Sequence, residues 1–428
     1  MPDLIGKKIA FLGYGLENQA LLAWFKKQKL VANYTVLDPH PQPEKLPTRV
    51  AWHSGKNYLK NLNSFDIVFR SPGAPLFLPE IKAAQKKGVT ISSAMNLFLE
   101  LAPTKNIIGV TGSKGKGTTA SLITAILKAD RRQVFLGGNI GVAPFSFLEK
   151  LTKDSWVVLE LSSFQLEDLN RSPRYAVLTN LFKEHLEPAD PNNPNYHKNF
   201  NSYVEAKLNI ARHSENKYFW IPKKLKNKLR AKKISGRLRF FETCDYPSLL
   251  AGEFNKENVA AAVAVGRHLK IPTETIKKAV ANFKGLPHRL ELVAVKKGVA
   301  YYDNSFSTTP ESTIADLKSF PGAVIILGGA DKGADFKALA KTVKKQASFV
   351  ILLKGAATPR LKKDLLAAGL SVKKIRHANS MPQAVSQASA AATSDRVVLL
   401  STACASFGLF KNYKERGDLF QKYVRAQK

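Results

Sequence analysis

The sequence predicts an α/β protein of three blocks, each built on a mostly parallel sheet with helices on both faces. Three observations carry that expectation. Short apolar runs rich in β-branched residues alternate with segments of helical period. A strand, a glycine-rich turn and a helix follow one another at Gly109–Leu122, GVTGSKGKGTTASL. The chain has 428 residues, more than one core usually organises.

The first block, residues 1–103, opens with the strand KKIAFLG, continues through YTVLDPH and DIVFRSPGAP, and ends at Ala102-Pro103. Its order of strands and helical segments is Rossmann-like. The second, residues 104–285, starts with NIIGVTGS and runs through SWVVLELSS, YAVLTNL and KYFWIP, as a central P-loop-type nucleotide domain. The third, residues 286–428, is again Rossmann-like, with strands at VAYYDNS, AVIILGG, FVILLKG and RVVLLST. Its helices are expected to start near Pro310, Phe336, Pro359 and Pro382, three of them at a proline, which suits a first helical turn. Between His185 and Lys207 the segment LEPADPNNPNYHKNFNSYVEA reads as a loop before a helix, with His197 and Lys198 as surface residues.

Lys+Arg 66 against Asp+Glu 33 gives a formal charge of +33. The excess is spread along the chain apart from one run, KKLKNKLRAKKISGRLR, and spread charge is a solvated surface; no nucleic-acid partner is expected. Two cysteines, Cys244 and Cys404, form neither a disulfide framework nor a CxxC pair, which fits a reducing compartment. The start has too short an apolar run for a signal peptide, and no stretch is apolar enough to span a membrane, so a cytoplasmic protein is expected; the chain is also expected to act as a monomer.

The turn at Gly112, Ser113, Lys114, Gly115, Lys116, Gly117 and Thr118 carries the chemistry. Backbone N–H groups there and a helix N-terminus can cradle phosphates, with Lys116 reaching the β and γ oxygens. The pattern G-x-x-x-x-G-K-S/T is broken twice, by Val110 and by Gly117, leaving Thr118 to supply the magnesium-binding hydroxyl. Glu160 ends the apolar strand SWVVLEL, where α/β sheets place their ligand crevice, and a carboxylate buried there needs a metal or lysine partner. In the first block GYGLENQAL has Gly13 and Gly15 but no third glycine of a dinucleotide fingerprint; Asp38 and Ser71 stand at the next strand ends.

The turn resembles the ATP loop of the Mur ligase superfamily. GGNIG at Gly137–Gly141, LELSSFQLE at Leu159–Glu167, GLPHRLE at Gly285–Glu291 and LLSTACASFGLFKNYKERGDLF at Leu399–Phe420 are similar to its D-glutamate-adding branch over essentially the whole chain. The lysine-glycine order of the loop is more like the folate branch. The resemblance implies an ATP-dependent amide ligase that joins D-glutamate to UDP-N-acetylmuramoyl-L-alanine through an acyl phosphate and a tetrahedral intermediate. ATP would lie between the second and third blocks, with two magnesium ions, and the third block would swing onto the second.

By the same resemblance Glu160, His185 and Lys207 are the metal-site residues, Lys207 as a carbamate, with Glu184 where the branch has Asp. Carbamylation needs a neutral amine and hence a lowered pKa. Asn139 and one of Asn255 and Asn258 contact the nucleotide, although as helix caps the latter two need no function. Arg289 matches the arginine at the hinge into the third block, and Asn304 falls where an Asp binds ribose, a role that the neighbouring Asp303 can take instead. Thr308, Lys332, Ser406, Phe407 and Tyr413 are expected around the glutamate, and Phe306 replaces a lysine of the branch. Gly15, Asp38 and Ser71 are expected to hold the UDP part. For Cys404 the expectation is a buried small hydrophobe, and Tyr413 read alone is core packing. The competing readings are a nucleic-acid-binding ATPase, which lacks stacking and arginine-finger motifs here, a non-catalytic relative, and a glutamate ligase on another acceptor such as folate.

Overall fold

The computed structural model describes residues 4–187, 194–230 and 232–427, so residues 188–193 of the proline-rich loop lie outside it. Among the described residues, seventeen strands form three sheets. The first contains β1 (Lys8–Leu12), β2 (Asn33–Leu37), β3 (Val50–His53), β4 (Ile67–Arg70) and β5 (Thr90–Ser92), in the order β3-β2-β1-β4-β5, all parallel. The second contains β6 (Ile107–Thr111), β7 (Val134–Gly138), β8 (Trp156–Glu160), β9 (Tyr175–Leu178), β10 (Tyr218–Pro222) and β11 (Arg237–Phe241), in the order β11-β10-β9-β6-β8-β7. It too is parallel throughout.

The third sheet contains β12 (Glu291–Lys296), β13 (Val299–Asp303), β14 (Ala323–Leu327), β15 (Ala347–Leu353), β16 (Ile375–Ala378) and β17 (Val397–Leu400). It is mixed, because β12 pairs antiparallel with β13. The reason is local: Lys297 and Gly298, with φ of 50° and 77°, make the two-residue hairpin turn whose twist suits antiparallel strands. Its helices Pro310–Ser319, Lys337–Gln346, Thr358–Ala367 and Met381–Ala391 start within about one residue of the expected sites.

The chain divides into two compact units, Met1–Tyr246 with Lys256–Val280, and Pro247–Asn255 with Ala281–Lys428. The first holds the first two sheets on one shared core. Trp24 meets Phe145 at 5.2 Å, and Phe98 meets Phe147 at 5.7 Å, so aromatic side chains on helices beside the first sheet interdigitate with those of the turn that follows β7. Truncating Phe145 to Ala would cost about 3–5 kcal/mol by the usual transfer-plus-cavity reckoning. In the second unit, apolar clusters cover the two faces of the third sheet, one around Phe336, Leu361 and Cys404, the other around Val385, Leu400 and Phe420.

Two topological switch points matter for function. In the first sheet β1 lies between β2 and β4, and in the second β6 lies between β8 and β9. At both, the loops leaving the carboxyl ends of neighbouring strands diverge and open a crevice.

Candidate active site

The glycine-rich loop follows β6. Gly112 has φ 145°, and a Cβ there would lie 1.9 Å from Thr179 Oγ1; Gly115 has φ 79°, and a Cβ there would lie 2.1 Å from Asn258 Oδ1. Both positions therefore require glycine. The end of β9 shapes the loop: Thr179 Oγ1 and Asn180 Nδ2 donate to Lys114 O at 2.6 and 2.9 Å, and Lys114 N donates to Asn180 Oδ1 at 2.8 Å. Ser113 Oγ accepts from Phe182 N at 2.8 Å and lies 2.7 Å from Tyr203 Oη, so this hydroxyl builds the loop. The helix Lys116–Ala129 begins on Gly115 without a side-chain cap, and Gly117 and Thr118 are buried in its first turn. Such a helix end is a phosphate-binding device, with amide donors and the positive end of the dipole.

Two lysines converge on one carbonyl. Lys116 Nζ donates to Gly112 O at 2.9 Å and Ser113 O at 2.8 Å, while Lys207 Nζ donates to Gly112 O at 2.9 Å and lies 3.5 Å from Thr111 Oγ1. Lys207 is 2% exposed, on the helix Phe200–Leu208, with its ammonium 4.6 Å over the Tyr203 ring. Burial first, then the charge of Lys116, hold its pKa well below the lysine range, against a smaller pull from Glu184 and Glu160. Glu160 itself is 3% exposed at the end of β8; Asn139 N donates to its carbonyl at 2.8 Å and Asn139 Nδ2 to Oε1 at 3.4 Å.

His185 has φ 55° and meets the Phe164 ring edge-on at 5.2 Å. Although the residue is exposed as a whole, the protein around the ring desolvates it, and Lys116, Lys207 and Lys114 add to the lowering of its pKa against Glu184. Glu184 pairs with Lys114. The structure thus brings the expected Lys116, Glu160, Asn139, His185 and Lys207 to the carboxyl ends of β6 to β9. Among these, the nearly buried Glu160 carboxylate and the His185 imidazole, held toward its neutral form, are groups that could hold magnesium beside the helix N-terminus, and burial holds Lys207 toward its neutral form.

One expectation is corrected here. Lys198 is exposed, but His197 is 2% exposed rather than a surface residue. Its ring stacks on Phe164 at 4.9 Å and 9°, and its backbone N–H donates to His185 O at 2.8 Å. Burial, with Lys207 and His185 adding, pushes its pKa down to about 4.

At the first switch point, Tyr14 N donates to Asp38 Oδ2 at 2.8 Å, and Gly13 is required because a Cβ would lie 2.2 Å from Ser71 Oγ. Gly15 is exposed at the start of the helix Leu16–Lys27. Asn18, where the dinucleotide pattern fails, is buried and donates to Gly13 O at 2.8 Å and Phe69 O at 3.0 Å. It braces the loop from behind. Arg70, which the sequence reading passed over, is 1% exposed. Its signal was a cation closing the apolar run DIVF.

In the second unit, Asp303 is fully buried, with its carboxylate oxygens taken up inside the fold. His288 Nδ1 and Gln421 Nε2 donate to its Oδ2 at 2.7 and 3.0 Å, and Ser305 N to its Oδ1 at 2.8 Å. Asn304 Nδ2 donates at 2.6 Å to Asp316, whose pKa burial pushes up to about 6. The Arg289 guanidinium lies 3.7 Å over the Phe306 ring, which meets Tyr413 edge-on at 5.1 Å, so an aromatic face holds the cation. Tyr413 is half-buried, Ser406 buried, and Lys332 and Phe407 exposed; Thr308 is half-buried in the loop after β13. Arg416, also unanticipated, is fully buried and donates to Ser305 Oγ, Ser305 O and Cys404 O at 2.9, 2.7 and 3.0 Å, joining the two loops. Cys404 lies in the core, and burial pushes its thiol up to about 12. Asn255 and Asn258 lie within the helix Glu253–His268 rather than capping it; Asn258 Oδ1 accepts from Thr119 Oγ1 at 3.3 Å, and Asn255 Nδ2 donates to Ala251 O at 2.6 Å.

The comparisons with known proteins agree with this layout. The Mur ligase MurD-like N-terminal domain matches residues 7–93, the Mur ligase middle domain residues 110–238, and the Mur ligase glutamate ligase domain residues 288–404. The chain belongs to the Mur ligase family and is an ATP-dependent ligase. Within the family it is similar to the UDP-N-acetylmuramoylalanine–D-glutamate ligase of Symbiobacterium thermophilum, 34% identical over 98% of both chains. The enzyme of that name from Acetivibrio thermocellus is 33% identical over 98% of this chain and 96% of its own. Among solved structures, a MurF ligase from Thermotoga maritima in complex with ADP shares the fold, with a TM-score of 0.58, 16% identity and 99% of each chain covered. Among the described residues no helix is long and apolar enough to cross a membrane.

Proposed function

We propose that this chain adds D-glutamate to UDP-N-acetylmuramoyl-L-alanine at the expense of ATP, in the bacterial cytoplasm. The observation that carries the proposal is the meeting of Lys116 and the buried Lys207 on Gly112 O, beside Glu160 and His185. The names of the relatives supply the substrates.

In this reading the amides of residues 112–118 cradle the ATP phosphates, and Lys116 exchanges its two loop carbonyls for phosphate oxygens. Its departure also removes one cation from the surroundings of Lys207. The Lys207 amine, kept neutral, takes up carbon dioxide and loses a proton, and the resulting carbamate, with Glu160, His185 and Thr118, would hold two magnesium ions. Those ions would neutralise charge on the transferring phosphoryl group. The acceptor carboxylate attacks the γ-phosphorus and ADP leaves; the glutamate amine then attacks the acyl carbon, and phosphate leaves as the amide forms. Gly15, Asp38 and Ser71 hold the UDP part in a domain of residues 1–103. The ATP domain spans 104–285 with Asn139. The domain of residues 286–428 offers Arg289 and Asn304 to the nucleotide, joined by Asn255. It offers Thr308, Lys332, Ser406, Phe407 and Tyr413 to the glutamate.

Phosphate release by the purified protein, with each substrate omitted in turn, tests this. Release that needs ATP, magnesium, the UDP acceptor and D-glutamate together supports it. Release with L-glutamate and not D-glutamate, or with a folate acceptor in place of the UDP compound, refutes it.

A further inference from the structure

Arg70 ends β4 and immediately precedes the loop of residues 71–75. Its guanidinium spends its donors on three acceptors in two segments. Nη1 donates to Ala74 O at 2.7 Å, closing the loop on itself. Nε donates to Asp168 Oδ2 at 2.7 Å, and Nη2 to Phe164 O at 2.8 Å, both in the segment that follows Glu160. Phe164 is the residue whose ring packs on His185 and His197. One side chain therefore links the loop bearing Ser71 to the histidine side of the catalytic centre in two steps.

The surroundings strengthen the link. Asn195 Nδ2 donates to Pro72 O at 2.8 Å, Asn96 Nδ2 to Asp168 O at 2.9 Å, and Asn170 N to Asn96 Oδ1 at 2.9 Å. Glu167 Oε2 lies 3.9 Å from the guanidinium, and Gln165 bonds Glu17 across the same seam. A buried charge is tolerated only when nearly every donor is matched, and a planar fork can meet three acceptors in fixed directions where an ammonium cannot. A mere structural plug would not need that directionality.

We infer that Arg70 is a positioning residue: it sets the place of the acceptor-binding loop 71–75 relative to the Glu160–His185 centre, through Phe164 and Asp168. The inference rests on the proposed function, in which that loop takes the uridine diphosphate. Shifting the loop by an ångström would displace the acceptor carboxylate from the phosphoryl group while leaving the ATP cradle as it is.

The test uses the full chain with Arg70→Lys and, should that variant not fold, Asp168→Asn. Steady-state constants are measured separately for the UDP acceptor and for ATP, with amide hydrogen exchange across the loop. A misplacement of this size predicts kcat/KM for the acceptor falling by about 100-fold, with KM for ATP within about twofold. Exchange at residues 73–74 and 161–168 should accelerate together. Equal losses for acceptor and ATP, or an unchanged acceptor constant in a folded variant, would overturn the inference. If the wild-type protein does not turn over the UDP acceptor, the functional reading fails, and exchange alone decides the coupling: acceleration confined to one of the two segments overturns it.

Discussion

His197 ties acid stability to the catalytic centre. Its pKa is pushed down to about 4 in the fold against 6.5 for the ordinary side chain, because burial, with Lys207 and His185 nearby adding to it, disfavours the imidazolium. A base with a depressed folded pKa contributes stability that is fully present above the unfolded pKa and is lost as pH falls toward the folded one. Between pH 6.5 and about 4 the unfolded chain binds a proton that the fold refuses, which at about 1.4 kcal/mol per pH unit amounts to about 3 kcal/mol. His197→Phe keeps the ring stack on Phe164 and removes the titration. All four tryptophans, Trp24, Trp52, Trp156 and Trp220, lie in the first unit, so fluorescence-detected urea unfolding follows that unit. The wild-type protein should lose up to about 3 kcal/mol more than the variant as pH drops from 6.5 to 4. Parallel stability curves for the two proteins would refute the reasoning.

Further changes probe the loop and its lysines. Lys116→Ala should lower ATP-dependent phosphate release by at least about 100-fold, since it removes the ammonium that lies on the loop carbonyls of Gly112 and Ser113, and kinetics near wild type would dismiss the role. Lys207→Ala should abolish release and regain part of it on addition of formate or acetate; loss that no carboxylate repairs would count against the carbamate. Gly115→Ala, with its Cβ 2.1 Å from Asn258 Oδ1 and φ of 79°, should cost about 1–3 kcal/mol and weaken ATP binding, as read by calorimetry. Phe306→Ala should raise KM for ATP or glutamate several-fold by releasing Arg289, and unchanged constants would mean that the stack does no more than cover surface.

Eleven strands were legible in the sequence, and the six that were not are the edges of the three sheets, β3, β5, β7, β11, β12 and β16. Interior strands such as Val398–Leu400 or Val157–Leu159 are buried on both faces and read as unbroken apolar runs, whereas edge strands such as Val50–His53 are short and half-exposed. The antiparallel β12 escaped notice because its segment reads as a motif, PHRLE, followed by mixed residues. The loop glycines were legible because close backbone approach fixes residue type, and Glu160 because a carboxylate ends an apolar strand, whereas Lys207 read alone was an ordinary helix lysine that only the resemblance singled out. His197, Arg70 and Arg416 were not legible, because what they do depends on partners dozens of residues away: Asp168, Phe164, Ser305. Asp303 beside Asn304 illustrates the limit of spacing, since alternation along β13 turns one inward to His288 and leaves the other half-exposed.

The most direct test of the account follows one oxygen atom. UDP-N-acetylmuramoyl-L-alanine carrying heavy oxygen in its carboxylate is incubated with the protein, ATP, magnesium and D-glutamate, and the released phosphate is analysed by mass. An acyl phosphate predicts that one labelled oxygen moves into phosphate, and that the transfer stops when D-glutamate is withheld. Phosphate released without label, or labelled equally well with no glutamate present, would contradict the assignment of an amide ligase that works through acceptor activation.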